Sequence, residues 1–175
     1  LAKVNEQVLT VWARVLRSIP CSRLLIKWSS VGDADVKSAL VTRFTELGVA
    51  EERLILRNDT PHPEMLAEYG DVDIALDTFP YNGGATTCEA LWMGVPVVTL
   101  DGNTPIGRQS KSFLHAIGHA EWVAHDEDAY VEIAIGLAGD ISQLDKIRGE
   151  LRHQMSSSPL CDGKLFTQHL EKVYR

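Results

Sequence analysis

The amino-acid sequence predicts an α/β fold, a Rossmann-like parallel sheet with helices on both faces. Short apolar runs of strand length alternate along the chain with longer stretches whose apolar residues recur at helical spacing. Such alternation builds βαβ units, which wind into a parallel sheet that is covered on both sides. The 175 residues, 45% hydrophobic and 23% charged, suit one domain with a full core. We therefore predict a single domain over residues 1–175, and we expect it to be part of a longer chain.

The chain begins with a predicted amphipathic helix over residues 4–19, with Asn5 near its start and Pro20 just past its end. Residues 22–28 are a short apolar run that predicts the first strand, and the helix after it stops at Gly48. Later strands are predicted at residues 53–56, 72–77, 95–100 and, as a weak signal, 121–123. Later helices are predicted at residues 63–69, 86–93, 108–117, 127–137, 141–155 and 164–174.

Composition narrows the class of protein. A net charge of −7 and a pI near 5.3 disfavour a nucleic-acid partner, because phosphate backbones need clustered Lys and Arg. No apolar run reaches the roughly 18–20 residues that span a bilayer, and the first residues lack the layout of a signal peptide. We therefore expect no membrane partner and a cytoplasmic location.

Tryptophan and cysteine give further expectations. The four tryptophans lie in apolar contexts and are expected in the core: Trp12, Trp28, Trp92 and Trp122. The three cysteines are widely separated, without the spacing of zinc ligands, and are expected to be reduced and mostly buried: Cys21, Cys88 and Cys161.

The loop after the strand that ends at Asp77 is the strongest candidate for a ligand site. In open α/β sheets, ligands bind beyond the carboxyl ends of the strands. Residues 78–85 are rich in turn formers and include Gly83 and Gly84; Thr86 and Thr87 begin the next helix. Free backbone N–H groups, the positive end of the helix dipole and two hydroxyls together favour a small anion such as a diphosphate.

Local chemistry leaves an alternative open at this loop. Glu89, about one turn into the helix, is placed to accept hydrogen bonds from ribose hydroxyls, but it is also a favourable first-turn acid. Thr86 is equally compatible with an ordinary helix cap. Neither a Walker A pattern nor a G-x-G-x-x-G fingerprint is present, which disfavours a P-loop NTPase and a standard dinucleotide enzyme.

Residues 73–99 closely resemble the C-terminal catalytic half of the O-GlcNAc transferase family, which includes the plant SPINDLY proteins. Supporting matches lie at residues 1–3, Thr60-Pro61, Arg108 and residues 158–162. The resemblance implies a GT-B glycosyltransferase that moves a sugar from a nucleotide donor to Ser or Thr of a protein acceptor. It also implies as partners an N-terminal catalytic half and tetratricopeptide repeats of the same protein. No cofactor or metal is implied, and no Asp-x-Asp motif is present.

The resemblance also implies roles for individual residues. Lys3 matches a family lysine that contacts the donor diphosphate and stabilises the leaving group, although by itself it reads as a solvated lysine. Arg108 is implied to position the donor or close the cleft, with a surface salt bridge as the alternative. The donor-binding residues are expected to be Thr60, His62, Gly83, Gly84, Ala85, Thr86, Thr87, Glu89 and Arg108.

Two departures from the family pattern leave the donor and the activity open. Gly84 and Ala85 stand where relatives often carry His or Thr, which removes side-chain contacts to phosphate. Met65 stands where many relatives have His near the nucleoside base, and His62 is the candidate substitute. UDP-GlcNAc is the favoured donor, with GDP-fucose as a serious variant. The alternatives are a degenerate, non-catalytic nucleotide- or protein-binding module and, with no clustered nucleophile or base to support it, an epimerase- or phosphatase-like enzyme.

Overall fold

The computed structural model describes residues 3–175, so Leu1 and Ala2, part of the resemblance at residues 1–3, lie outside the described residues. Helices and strands alternate as predicted. The strands are β1 (Leu24–Lys27), β2 (Leu54–Arg57), β3 (Ala75–Leu76), β4 (Val97–Leu100) and β5 (Val123–Ala124). The helices are α1 (Glu6–Ser18), α2 (Ala34–Glu46), α3 (His62–Ala67), α4 (Ala85–Trp92), α5 (Gln109–Ile117), α6 (Glu127–Gly139), α7 (Ile141–Ser156) and α8 (Gly163–Tyr174).

The strand pairs are all parallel, which confirms the predicted α/β class. β1 pairs with β2, with Leu24 opposite Leu54. β4 pairs on one side with β3 and on the other with β5. In the described residues the strands therefore form two hydrogen-bonded groups, β1–β2 and β3–β4–β5, where the sequence predicted one continuous sheet.

Helices cover both faces of the central strand, as expected. Val97 and Val98 are adjacent on β4, and side chains alternate between the two faces of a strand. Val98 belongs to a buried cluster that also takes residues from α1, α6 and β1. Val97 belongs to a second cluster, with residues from α4, α5 and α7. The first cluster includes residues of both strand groups, so the two groups share one core.

Local signals fix the ends of the elements. The Asn5 side chain accepts a hydrogen bond from the Val8 amide and so caps α1. The Asn5 Nδ2 atom also donates to the Phe79 carbonyl at 2.8 Å, which ties the start of α1 to the loop after β3. Gly48, the predicted stop of α2, has a φ of 81°, a left-handed conformation that favours glycine.

Two of the four tryptophans are not core residues. Trp12 and Trp122 are buried, with exposed fractions of 6% and 3%, as predicted. Trp28 is 48% exposed and Trp92 is 40% exposed, so the prediction was wrong for both. Trp28 lies beyond the end of β1, where the strand no longer holds it against the core, and Trp92 is the last residue of α4.

The cysteine prediction was also wrong. All three thiols are free, as expected, but Cys21 and Cys161 are exposed and Cys88 is only partly buried. Cys21 follows the end of α1 and Cys161 lies in the short turn before α8, where the chain runs over the surface. Among residues 3–175 no helix is both long and apolar enough to cross a membrane.

Candidate functional site

Asp77 anchors both ends of the loop that follows β3. Its carboxylate is 8% exposed. The Oδ1 atom accepts hydrogen bonds from the amides of Gly83, at 2.7 Å, and of Thr78, at 3.0 Å. The Oδ2 atom accepts from the Thr99 hydroxyl on β4 at 2.7 Å. Burial raises the pKa of Asp77 above its usual range, and these hydrogen bonds act against that shift. One buried carboxylate thus closes the loop on itself.

Further hydrogen bonds fix the shape of the loop between its ends. Asn82 is fully buried, and its Nδ2 atom donates to the Thr78 carbonyl at 3.0 Å. The Thr78 hydroxyl donates to the Tyr81 carbonyl at 2.7 Å. The peptide bond between Phe79 and Pro80 is cis. The two hydrogen bonds therefore link residues 78, 81 and 82 within the loop.

The loop also rests on α6. The Tyr130 hydroxyl donates to the Asp77 carbonyl at 2.9 Å, and the Tyr130 ring meets the Phe79 ring edge-on, with centroids 5.7 Å apart. Tyr130 is completely buried, and burial raises its pKa well above the usual range. Tyr130 was not predicted as a site residue, and the sequence gives no local signal that links it to a loop more than 50 residues away.

Gly83 occupies a position with no room for a side chain. A Cβ atom there would lie 2.3 Å from the Thr87 hydroxyl oxygen and 3.2 Å from Asp77 Oδ1. The first separation is far below ordinary contact and the second is tight, so a larger residue would force the buried Thr87 side chain or the loop to shift. The crowding around Gly83 thus comes from side chains of α4 and of the loop itself.

The start of α4 is uncapped by any side chain. Gly84 is the N-cap residue, and Ala85 and Thr86 are exposed in the first turn. Thr86 lies inside the helix, so the alternative in which it serves as an ordinary cap is not what the structure shows. The first amides of a helix have no partner within that helix. The N-terminus of α4 therefore presents backbone donors and the positive end of its dipole at the carboxyl edge of β3 and β4.

The two threonines of α4 differ in environment. Thr87 is 4% exposed, and its Oγ1 atom lies 3.0 Å from the Ser110 Oγ atom. The Ser110 hydroxyl also donates to the Gly83 carbonyl at 3.3 Å. Thr86 is exposed at the helix start. The Thr87 hydroxyl thus supports the loop from beneath, and the Thr86 hydroxyl is the one open to a ligand.

Lys3 lies directly against the loop. Its Nζ atom donates a hydrogen bond to the Asn82 carbonyl at 2.8 Å and lies 4.1 Å from the centroid of the Tyr81 ring. A lysine 79 residues away in sequence is thereby placed beside the glycines that precede α4. The alternative of a fully solvated lysine does not fit, because Lys3 is partly buried.

His62 and Glu89 face each other across the site. The His62 Nε2 atom lies 2.8 Å from Glu89 Oε1, with Glu89 only 23% exposed. The Tyr69 hydroxyl donates to the Thr86 carbonyl at 3.2 Å and joins the chain after α3 to α4. Burial, with a smaller contribution from the Glu89 charge, raises the pKa of Tyr69 to about 12, so it stays protonated as a donor.

Thr60 belongs to a charged network at the flank of the site. Its hydroxyl accepts from Lys27 Nζ at 2.7 Å and donates to Glu68 Oε1 at 2.9 Å. Lys27 and Arg57, the last residues of β1 and β2, both pair with Glu68, at 2.6 and 3.2 Å. The hydrogen bond from Lys27 is the main cause that holds the pKa of Glu68 low. The sequence reading missed this network, although two cations at the ends of adjacent parallel strands were a visible signal.

Arg108 immediately precedes α5. It is exposed, and its Nε atom donates to the Gly102 carbonyl at 2.7 Å. Within residues 3–175 no carboxylate lies at ion-pair distance from Arg108, so the alternative of a surface salt bridge is not supported. The backbone of Gly107 packs against the Pro80 carbonyl, since a Cβ atom at Gly107 would lie 2.9 Å from it. The backbone next to Arg108 therefore packs against the loop that follows β3.

Comparison with known proteins decides the family. The family described as glycosyl transferase family 41 matches residues 1–170. The chain belongs to glycosyl transferase family 41. Family 41 relatives include the probable UDP-N-acetylglucosamine–peptide N-acetylglucosaminyltransferase SPINDLY of Petunia hybrida, 46% identical over 180 residues, and that of Arabidopsis thaliana, 42% identical. A UDP-N-acetylglucosamine–peptide N-acetylglucosaminyltransferase of Caenorhabditis elegans is 30% identical.

The family 41 assignment agrees with a solved structure. A mutant O-GlcNAc transferase from Thermobaculum terrenum superimposes with a TM-score of 0.93 at 40% sequence identity, over 99% of this chain and 33% of that one. This confirms the GT-B-type α/β domain implied by the resemblance. The whole of this chain aligns with the Petunia and Arabidopsis relatives, and 99% of it aligns with the Caenorhabditis one. The chain spans only 19% of the length of the first two and 15% of the length of the third.

Proposed function

We propose that this chain is the donor-binding domain of a protein O-glycosyltransferase and that it holds the diphosphate of a nucleotide sugar at the start of α4. The observation that carries the proposal is the position of the Lys3 amine, 2.8 Å from the Asn82 carbonyl, beside an uncapped helix N-terminus. A cation, free backbone N–H groups and the helix dipole together favour a dianionic ligand. In the described residues no other helix start combines these features with a loop that ends in two glycines.

The same groups suit the chemistry of sugar transfer. As the bond between the sugar and the diphosphate breaks, negative charge develops on the leaving phosphate oxygen. Preorganised donors that meet this charge lower the barrier more than they strengthen ground-state binding. We assign this role to Lys3, with the first amides of α4 and the Thr86 hydroxyl as the supporting donors. Gly83, Gly84 and Ala85 would contribute backbone contacts only.

Glu89 and His62 are placed for the nucleoside. Glu89 is the carboxylate closest along α4 to the phosphate position, and carboxylates accept hydrogen bonds from both ribose hydroxyls. Glu89 is paired with His62, so we infer that the ribose would replace or join this contact. Thr60 and His62 would then border the base, and Arg108 would close the opposite side.

The donor is proposed as UDP-GlcNAc, with GDP-fucose as the variant. The relatives from Petunia, Arabidopsis and Caenorhabditis are all named as UDP-N-acetylglucosamine–peptide N-acetylglucosaminyltransferases. The SPINDLY relatives from Petunia and Arabidopsis, at 46% and 42% identity, are more similar to this chain than the Caenorhabditis relative at 30%. Met65, where many relatives have His, leaves the contact to the base different from the family pattern.

We also propose that transfer requires partners from a longer chain. A protein acceptor, an N-terminal catalytic half and tetratricopeptide repeats are the expected ones, in keeping with relatives about five times longer than the aligned region. The 175-residue chain alone is then expected to bind donor without transferring sugar. Transfer by this chain without an added N-terminal half would contradict the two-domain part of the proposal.

Saturation-transfer NMR with UDP-GlcNAc and GDP-fucose tests the donor directly. The favoured outcome is magnetisation transfer to the uridine and ribose protons of UDP-GlcNAc, reduced by excess UDP. Magnetisation transfer to GDP-fucose alone would identify GDP-fucose as the donor. Binding of neither would overturn the proposed function.

A second candidate function is a degenerate, non-catalytic module that binds nucleotide. It is favoured by Gly84 and Ala85, which offer no hydroxyl or imidazole at the phosphate position. The discriminating measurement is turnover by the longest natural chain that contains these residues. Nucleotide binding with no sugar transfer to any protein acceptor would favour the module, and measurable transfer would exclude it.

A further inference from the structure

Tyr81 contacts the amine to which we assign the leaving-group role. The side chain is 47% exposed, yet its ring centroid lies 4.1 Å from Lys3 Nζ. The residue is itself held in place, because the Thr78 hydroxyl donates to its carbonyl at 2.7 Å and the next residue, Asn82, is fully buried. Tyr81 is therefore an exposed aromatic ring on a fixed backbone.

We propose that Tyr81 is a positioning residue that holds the Lys3 amine at the donor loop, an inference that rests on the proposed function. The face of an aromatic ring carries negative charge density and attracts an ammonium group. A lysine side chain otherwise samples many rotamers, and ordering it on ligand binding costs conformational entropy. The ring and the Asn82 carbonyl together confine the amine before a donor arrives.

The geometry leaves the amine available for a ligand. An ammonium group has three N–H donors, and the Asn82 carbonyl accepts one of them at 2.8 Å. A ring face attracts the cation without taking up a conventional acceptor position. The remaining donors suit the oxygens of a diphosphate. The tyrosine hydroxyl has no part in this arrangement, so phenylalanine should serve equally well.

Other exposed aromatic residues do not share this relationship. Trp92, the last residue of α4, is 40% exposed, but the Arg152 guanidinium lies 5.4 Å from the centroid of its ring. Trp28 is 48% exposed and follows β1. Trp28→Leu is therefore a matched control for the loss of an exposed aromatic side chain.

A double-mutant cycle on nucleotide affinity tests the inference. UDP and GDP would be titrated calorimetrically into the wild-type chain and six variants: Tyr81→Phe, Tyr81→Leu, Tyr81→Gln, Trp28→Leu, Lys3→Met and Lys3→Met/Tyr81→Leu. We expect Tyr81→Phe and Trp28→Leu to bind like the wild type, and Tyr81→Leu and Tyr81→Gln to bind about five- to tenfold more weakly, in line with a partly exposed cation–π contact. With Lys3 replaced, Tyr81→Leu should cause no further loss.

The outcomes separate this inference from the proposed function. If the wild type binds UDP or GDP and Tyr81→Leu weakens binding equally with and without Lys3, the positioning role is overturned while the donor site stands. If Tyr81→Leu and Tyr81→Gln both bind nucleotide as tightly as the wild type, the positioning role is likewise overturned. If the wild type binds neither nucleotide, the proposed function fails and the role of Tyr81 fails with it. Thermal denaturation of each variant establishes that all are folded.

Discussion

The carboxylate of Asp77 and the amide of Gly83, six residues apart, are joined by a hydrogen bond of 2.7 Å that closes the loop before α4. This bond lies beneath the position proposed for the donor diphosphate. It also explains why the loop can keep two adjacent glycines without being flexible, since the backbone is fixed from below by a buried acceptor.

Asp77→Asn should weaken both the fold and nucleotide binding. An amide can still accept from one side, but it loses the charge that strengthens the hydrogen bonds from Gly83 and Thr99. We expect the free energy of unfolding to fall by about 1–3 kcal/mol. Urea denaturation with nucleotide titration measures both effects, and an unchanged free energy of unfolding would show that the carboxylate is not the anchor.

The difference in the free energy of unfolding between the wild type and Asp77→Asn should depend on pH with a definite sign. Burial raises the folded-state pKa of Asp77 above the ordinary value of 3.8, so the folded protein takes up this proton at a higher pH than the unfolded chain. As pH falls from neutral towards 3.8, the wild type should gain stability relative to Asp77→Asn. Urea denaturation of both proteins across this range measures the change. A difference that shrinks as pH falls would contradict the assigned shift.

Replacement by valine should affect stability at one threonine of α4 and nucleotide binding at the other. Thr87→Val removes a buried hydrogen bond with Ser110 and is expected to cost about 1 kcal/mol of stability. Thr86→Val is exposed and should leave stability unchanged while it weakens nucleotide binding. Thermal denaturation and titration with UDP separate the effects. Equal losses of stability in both variants would argue against the division of roles.

Gly83→Ala should be far more damaging than alanine at a glycine with open surroundings. Its Cβ atom would lie 2.3 Å from the Thr87 oxygen, whereas a Cβ atom at Gly70 meets nothing within 4 Å. Gly70→Ala is the matched control and is expected to be neutral. Gly83→Ala is expected to cost about 1–3 kcal/mol, as overpacking does elsewhere. Chemical denaturation of both variants checks this, and similar values for the two would remove the steric argument.

Glu89→Gln should discriminate between ligands. If Glu89 accepts hydrogen bonds from ribose hydroxyls, the variant should bind UDP several-fold more weakly, in line with loss of a hydrogen bond to a charged acceptor. Inorganic pyrophosphate, which has no ribose, should bind as it does to the wild type. Titration of each ligand gives the comparison. An equal loss for UDP and pyrophosphate would place Glu89 elsewhere.

Much of the fold could be predicted from the sequence, because the spacing of apolar residues and the capping residues at helix ends are local signals. The helices that became α1 and α6 were predicted within a few residues, since their apolar spacing and the side chains at Asn5 and Asp126 mark them. Strand ends were less accurate. The strand predicted at residues 72–77 is β3, only Ala75–Leu76, although the Asp77 amide still donates to the Val98 carbonyl of β4 at 2.9 Å.

The site was harder to predict because its supports are distant in sequence. The residue types at the loop and α4 were chosen from local chemistry and resemblance, and the structure gathers Lys3, His62 and Glu89 around them. Ser110 and Tyr130 were not foreseen, because a serine on an amphipathic helix and a tyrosine on an apolar one look like ordinary core residues. Trp28 was misassigned because an aromatic residue at a strand end resembles the strand it follows.

Amide chemical-shift mapping of the labelled chain during titration with UDP-GlcNAc is the most direct test of the donor site. We predict that the largest changes fall on the amides of Gly83 to Glu89, with further changes near Lys3 and His62, and that Lys3→Met diminishes them. Changes centred elsewhere, for example along α2, or none at saturating nucleotide sugar would contradict the assignment of this loop as the donor site.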